Sequence, residues 1–269
     1  MSADTQLTGF VDIHSHLTPG IDDGAADVED SLAMAQLAVD EGIKTIICTP
    51  HQLGGYAENK GDDIRRRVAA LQETLDTNRI PLQVLPGADV RIEDGMIDKL
   101  ASGEVVSLGD HRKHVLLELP HELYFPLEPV LDSLERLGMT GVLSHPERNR
   151  GLLHQPAIIE ELVERGCLMQ VTAASLIGGF GQASQAMAER MVKRGMVHFL
   201  ATDAHSPKSR RPMMRGAFAR ATELAGEGAA VLWCREFPLA VAEGRPVPAG
   251  PTKVQPPKRS SWMAWGRSA

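Results

Sequence analysis

FVDIHSH, residues 10–16, places a short run containing the β-branched Val11 and Ile13 directly before two histidines two positions apart. In an extended chain the side chains at i and i+2 leave the same side of the pleat, so His14 and His16 can grip one ion where a strand ends. The pair is a weak signal alone and gains weight only from later strands. Outward from it, similar runs recur: KTIIC (44–48), LQVLPG (82–87), VLLEL (115–119), GVLSH (141–145), CLMQV (167–171) and VHFLAT (197–202). With FVDIH (10–14) they make seven predicted strands. Between them, Val28, Leu32, Ala35 and Val39, and then Ile64, Val68, Leu71 and Leu75, each give one apolar helix face. Leu127, Val130, Leu131, Leu134 and Leu137 do so ahead of Gly138, a helix stop, and Asp27 and Asp30 suit an N-cap and first turn. This alternation is the signature of βα units on a parallel sheet.

The polar residues decide between an open sheet and a barrel. His14 and His16, His51, Asp89, Glu118, His145, and Asp203 with His205 each lie at or just after the end of a different strand. In a parallel barrel those ends converge on one face, whereas an open sheet holds the first and last strands apart. The predicted fold is therefore α/β, a closed or nearly closed barrel of seven βα units. Of the ten histidines, His111, His114, His121, His154 and His198 are expected in the core or on the surface. The other five, with Asp23, Asp89, Glu118 and Asp203, exceed what one tetrahedral zinc can use. Mixed nitrogen and oxygen donors without thiolate suit manganese, iron or zinc, in two or three ions if a carboxylate bridges. Such a cluster activates water and clamps phosphoryl oxygens, which makes metal-assisted phosphoester hydrolysis the leading chemistry.

Composition agrees. The chain has 269 residues, 43% hydrophobic and 23% charged, enough for one large α/β domain, and its formal charge of −7 argues against a nucleic-acid surface. Aromatics make up 4%, so the core must be aliphatic and methionine-rich, as in packed helices and parallel strands. Cys48, Cys167 and Cys234 are far apart and form no disulfide framework, which fits a reducing cytosol. No secretory signal opens the chain, and no segment approaches the ~18 apolar residues of a membrane span, so a cytoplasmic protein is expected. From Arg245 onward there are five basic residues, no acidic ones and five prolines. Removing those five positive charges from −7 leaves −12 for residues 1–244, the expected domain. Residues 245–269 are expected to form a disordered basic tail outside it, with Trp262 and Trp265 suited to a weak contact with an anionic membrane or a partner.

DIHSHLTPGIDDG (12–24), CTPH (48–51), PGAD (86–89), LLELP (116–120), SHPERNR (144–150) and ATDAH (201–205) together resemble the polymerase and histidinol phosphatase (PHP) superfamily. More narrowly they resemble the manganese-dependent protein tyrosine phosphatases of bacterial capsule and exopolysaccharide operons. The resemblance covers roughly residues 10–215 and implies a distorted (β/α)7 TIM-like barrel with three divalent metal ions, manganese foremost, with iron, zinc, cobalt or magnesium as alternatives. By position, one ion would be held by His14, His16, Asp89 and Asp203, a second by Asp89, Glu118 and His145, and a third by Asp23, His51 and His205. Asp23, Glu118 and the HPER string favour the tyrosine phosphatase branch. One departure is Asp89: the family usually bridges with Glu, and a side chain one methylene shorter implies a looser bridge, shifted ions and lower activity. Arg148 matches the family position that binds substrate phosphate. A second arginine, before a proline after DAH, is here Arg211 with Arg210 beside it; a guanidinium fork suits a phosphoryl group. The implied reaction is attack of a metal-bound hydroxide on phosphotyrosine, with no phosphoenzyme and no required general acid. The implied partner is a tyrosine autokinase of polysaccharide export.

Rival functions leave their own marks. A cysteine-dependent phosphatase needs an arginine about six residues after its nucleophile, and Gly54, Ala173 and Ala240 stand there instead. GGFG (178–181) lacks a phosphate-binding context and is expected to be a flexible loop. A histidinol-phosphate-type phosphatase would share the barrel. An amidohydrolase would place a lysine where Glu118 stands. A catalytically weak, metal-stabilised binding module is the alternative of another class.

Overall fold

The βα alternation is realised in a computed structural model that describes residues 9–255. The strands are β1 (Phe10–Ser15), β2 (Ile43–Cys48), β3 (His51–Gln52), β4 (Gln83–Pro86), β5 (Asp89–Arg91), β6 (His114–Glu118), β7 (Thr140–Ser144), β8 (Leu168–Thr172) and β9 (Phe199–Ala201). Seven coincide with the expected runs. The other two, β3 and β5, continue β2 and β4 beyond Thr49-Pro50 and Gly87-Ala88, where the chain kinks and changes neighbours. All strands pair in parallel, in two sheets of order β1-β2-β4 and β3-β5-β6-β7-β8-β9. The first and last strands also meet. Ser15 and Ala204 form a parallel bridge, His16 N–H donates to the Ala204 carbonyl at 2.8 Å, and Asp203 N–H donates to the His14 carbonyl at 2.7 Å.

Apolar residues pack on both sides of the strands. Ile13, Ile47, Leu116, Val142, Leu168 and Phe199, one from each of six strands, meet in an inner cluster closed at one end by Leu108, Ala240, Val241 and Val247. The helices pack outside in a larger cluster. Ile64, Val68, Leu71 and Leu75 are all buried on the helix Gly61–Thr77, as the spacing predicts. In the helix Val28–Asp40 the buried face is instead Ser31, Met34, Ala35 and Ala38, with Val28 exposed. Small Ala and Ser side chains let that helix lie close, a preference that a search for large apolar residues overlooks. Asp27 caps it by accepting the Asp30 N–H at 2.9 Å.

The chain after residue 244 corrects an expectation. Residues 245–255 contain neither helix nor strand, as their prolines require, yet they lie against the domain rather than outside it. Val247 is only 9% exposed. Thr252 N–H donates to the Gly195 carbonyl at 2.7 Å, Gln255 N–H donates to the Ala225 carbonyl at 2.8 Å, and Trp233 Nε1–H donates to Thr252 Oγ1 at 3.3 Å. The absence of side chains at two positions permits this approach: a Cβ on Gly195 would stand 2.0 Å from the Thr252 oxygen, and one on Gly226 2.2 Å from that of Gln255. Trp262, Trp265 and the rest of the basic tail lie outside the described residues. Among the described residues no helix is long and apolar enough to cross a membrane.

Candidate metal centre

The strand ends deliver the donors to one place. His14 and His16 leave β1, whose register shifts between Asp12 and Ser15, and their Nε2 atoms come within 3.3 Å. His51 opens β3 and Asp89 opens β5, directly paired across the sheet. Glu118 closes β6, His145 follows β7, and Asp203 and His205 follow β9. His145 and Asp203 take φ of +34° and +50°, a left-handed backbone that costs energy in a residue with a side chain and is held here by its surroundings.

Four groups of donor atoms lie mutually within 4.8 Å: His16, Asp23, His51 and His205; His14, His16 and Asp89; His14, His145 and Asp203; and His51, Asp89 and Glu118. All nine residues expected from the sequence are thus brought together. Their grouping differs from the expected sets: His51 rather than His145 joins Asp89 and Glu118, His145 groups with His14 and Asp203, and His16 also joins Asp23, His51 and His205. His51 Nδ1 is 3.4 Å from Asp89 Oδ2 and 3.7 Å from Glu118 Oε2, and its Nε2 is 3.5 Å from Asp23 Oδ1. His14 Nε2 is 3.6 Å from Asp89 Oδ2 and 3.3 Å from Asp203 Oδ1. His205 Nε2 is 3.5 Å from Asp23 Oδ1. Donors held about 2.0–2.2 Å from one ion stand roughly 3–3.5 Å from each other, so these spacings fit a polyhedron of ligands.

The donor set also demands positive charge. Asp89 is 1% exposed, and neither carboxylate oxygen has a hydrogen-bond partner. An anion so buried needs a cation. Burial opposes ionisation of Asp89 and Asp203, yet the imidazoles around both, and Arg210 and Arg148 beside Asp203, hold them below the usual carboxylate range. Burial raises Glu118 to about 7, with the Asp89 charge adding to it. Burial keeps His14, His145 and His205 neutral, with lone pairs free, while the carboxylates of Asp203 and Asp22 overcome it at His16 and raise that group to about 10. The residues present therefore fit divalent metal ions.

Several side chains that the sequence did not single out orient the ligands. Asp22 Oδ2 accepts His16 Nδ1–H at 2.7 Å and the His51 backbone N–H at 2.9 Å. Gln170 Oε1 accepts His14 Nδ1–H at 2.9 Å and the His145 backbone N–H at 3.2 Å. Both contacts fix the tautomer that leaves Nε2 for a metal. A glutamine inside the buried run CLMQV is the signal that could have exposed Gln170; Asp22 was hidden beside Asp23 in DDG. Tyr56 stacks on His51 with ring centroids 5.2 Å apart.

The cavity above the donors is also lined by Arg148, Arg210 and His121. Arg148 and Arg210 both pair with Asp203 Oδ2, while Asp203 Oδ1 faces His14, His16 and His205. The second arginine at this mouth is thus Arg210, with Arg211 exposed in the adjoining cleft. Its neighbour's guanidinium is drawn inward by the Asp203 carboxylate and by the Phe180 ring. The remaining histidines do other work: His111 and His154 bond to the carbonyls of Ala242 and Arg150, and His114 and His198 are buried, which lowers both to about 4. All three cysteines are buried free thiols, and burial pushes Cys48 and Cys167 up to about 12, so none is a nucleophile.

A parallel α/β scaffold that gathers five imidazoles and four carboxylates at its strand ends, with two arginines at the mouth, defines a metal-dependent phosphoric monoester hydrolase. The chain belongs to the CpsB/CapC family, described as capsular polysaccharide synthesis, which matches residues 10–236. It is 40% identical over 203 residues to the tyrosine-protein phosphatase YwqE of Bacillus subtilis, covering 75% of this chain and 79% of that protein. It is 29% identical over 214 residues to the tyrosine-protein phosphatase CpsB of Streptococcus pneumoniae, covering 78% and 88%. A crystal structure from work on these two proteins, described as unique metal-dependent tyrosine phosphatases, superimposes with a TM-score of 0.84 at 35% identity, over 90% of this chain and 99% of that chain.

Proposed function

We infer that this chain is a metal-dependent protein tyrosine phosphatase of capsule or exopolysaccharide synthesis, acting on phosphotyrosine in a tyrosine autokinase. The observation that carries this reading is the buried carboxylate of Asp89, without a hydrogen bond and facing the His14 and His51 imidazoles where two donor groups join, with Arg148 and Arg210 held across Asp203 from the same cluster. His14, His16, His51 and Asp89 each belong to two groups, so the four groups fuse into one. Three divalent ions, manganese first, are the occupancy we assign to it; its nine residues would hold them, with Asp89 contributing to two of the donor groups. When bound, they would supply Lewis acidity that lowers the pKa of water and neutralises charge on the phosphoryl oxygens. Arg148 and Arg210 orient the phosphate through charge-assisted bonds, in place of the Arg148 and Arg211 pair implied by the sequence. Asp22 and Gln170 hold the ring orientations of His16 and His14, and a phenolate of pKa ~10 departs without a general acid. The interior cluster and the β1 to β9 contacts support a distorted barrel of seven βα units. Buried free thiols support a reducing, cytoplasmic setting.

Metal analysis coupled to a phosphotyrosine assay tests this reading. Three ions per chain and manganese-stimulated release of phosphate are expected, and His14→Ala with His16→Ala should reduce the release at least 10³-fold, the scale of losing electrostatic stabilisation at such a centre. Clear preference for histidinol phosphate over a phosphotyrosine peptide would overturn the substrate. Full biological activity in the double variant would instead favour the binding module.

A further inference from the structure

The turn GGFG, residues 178–181, is not used by the metal centre, yet it is built to bring one side chain beside it. Gly178 and Gly181 take φ of +91° and +85°, and a Cβ on Gly179 would lie 3.1 Å from the Ala174 carbonyl oxygen, so three of the four positions favour glycine. The fourth is Phe180, whose ring carries the Arg148 guanidinium 4.1 Å and that of Arg210 5.7 Å from its centroid. Beyond it a cavity of about 210 Å³ opens, sharing Asp203 and Arg210 with the metal cavity and walled by Ile177, Phe180 and Met213. Ile177 and Phe180 are half-buried, and Met213 is 39% exposed, unusual for so apolar a side chain. A second cavity, beside His51 and Glu118, is lined by Gln52, Leu53, Gly54, Gly55 and Arg91, with Leu53 buried and Tyr56 already stacked on His51.

In an aryl phosphate the ring begins one oxygen from phosphorus. A seat for it must therefore adjoin the phosphate-binding arginines and present flat apolar surface, as an aromatic face and a thioether do. On the tyrosine phosphatase reading, we propose that the cleft walled by Ile177, Phe180 and Met213 seats the phenyl ring of the substrate. Phosphoserine, with no ring, leaves these walls wet and gains nothing from them, so the cleft selects phosphotyrosine by binding as well as by the leaving group. Phe180 serves in two ways, as one wall and as the face on which both arginines rest.

Binding of benzylphosphonate, in which a methylene stands for the bridging oxygen and keeps the phenyl ring one atom from phosphorus, and of methylphosphonate to the metal-loaded protein tests the cleft without hydrolysis. The unaltered protein should bind the benzyl compound at least tenfold more tightly. The double variant Ile177→Ser, Met213→Ser should bring the ratio to within threefold of unity. An unchanged ratio, a proportional weakening of both ligands, or loss of the preference in Tyr56→Ala instead would overturn the proposal. Hydrolysis of a phosphotyrosine peptide by the unaltered protein, measured alongside, separates the two readings. If the peptide is cleaved and the ratio fails to move, the cleft alone falls; if the ratio moves and the peptide is untouched, the phosphatase reading falls and the aryl seat stands.

Discussion

Asp22 shows how much of a metal site lies one contact away from the ligands. Its carboxylate fixes His16 through Nδ1 and His51 through the backbone, so a single side chain orients two ligands from different strands. Asp22→Asn keeps the shape but loses the charged acceptor; metal affinity should fall by about 10- to 100-fold, with the far-ultraviolet spectrum unchanged. Titration calorimetry with manganese checks this, and wild-type affinity would dismiss the role. The nine clustered donors themselves were legible because histidines and carboxylates at successive strand ends are rare without a reason. Asp22 and Gln170 were not, because an orienting residue carries no type or spacing of its own. The choice between Arg210 and Arg211 was equally hidden: adjacent residues differ only in the direction the loop gives them.

At the scale of elements, periodicity located seven of the nine described strands and missed β3 and β5, since each follows β2 or β4 after a break of only two residues and reads as its tail. Those two short strands nevertheless place His51 and Asp89 side by side. Proline content likewise told what residues 245–255 could not form, but the place inferred from it, outside the domain, did not follow, because lacking helix and strand does not prevent packing. The segment buries Val247 and bonds to Gly195, Ala225 and Trp233. Ending the chain after residue 244 should cost about 3 kcal/mol, from one buried valine and several lost hydrogen bonds, and lower Tm by roughly 5–10 °C. An unchanged calorimetric midpoint would show the packing to be without consequence.

For the molecule as a whole, acid should act through histidines remote from the centre. His198 accepts the Met169 N–H at Nδ1 and reaches the Gly250 carbonyl from Nε2, both at 3.1 Å, so it is held neutral between β8 and the 245–255 segment. Its pKa is about 4 when folded against 6.5 ordinarily, because of burial. Only the unfolded chain takes up the proton between these values, so stability falls as pH drops from about 6.5 to 4, by about 3 kcal/mol for this group. His198→Gln should flatten that part of a urea-denaturation pH profile; a slope identical to the parent's would reject the assignment. The seam between β1 and β9 carries a separate consequence, for the order of events during folding. Residue 14 and residue 203 are joined across about three-quarters of the described chain, and the donors of the centre span nearly the same interval. Contacts so distant in sequence form late and slowly. The chain therefore cannot assemble its ion site until the last strand arrives, and metal uptake should be a kinetic reporter of completed folding, with bound ions acting as a clasp that slows the seam's reopening.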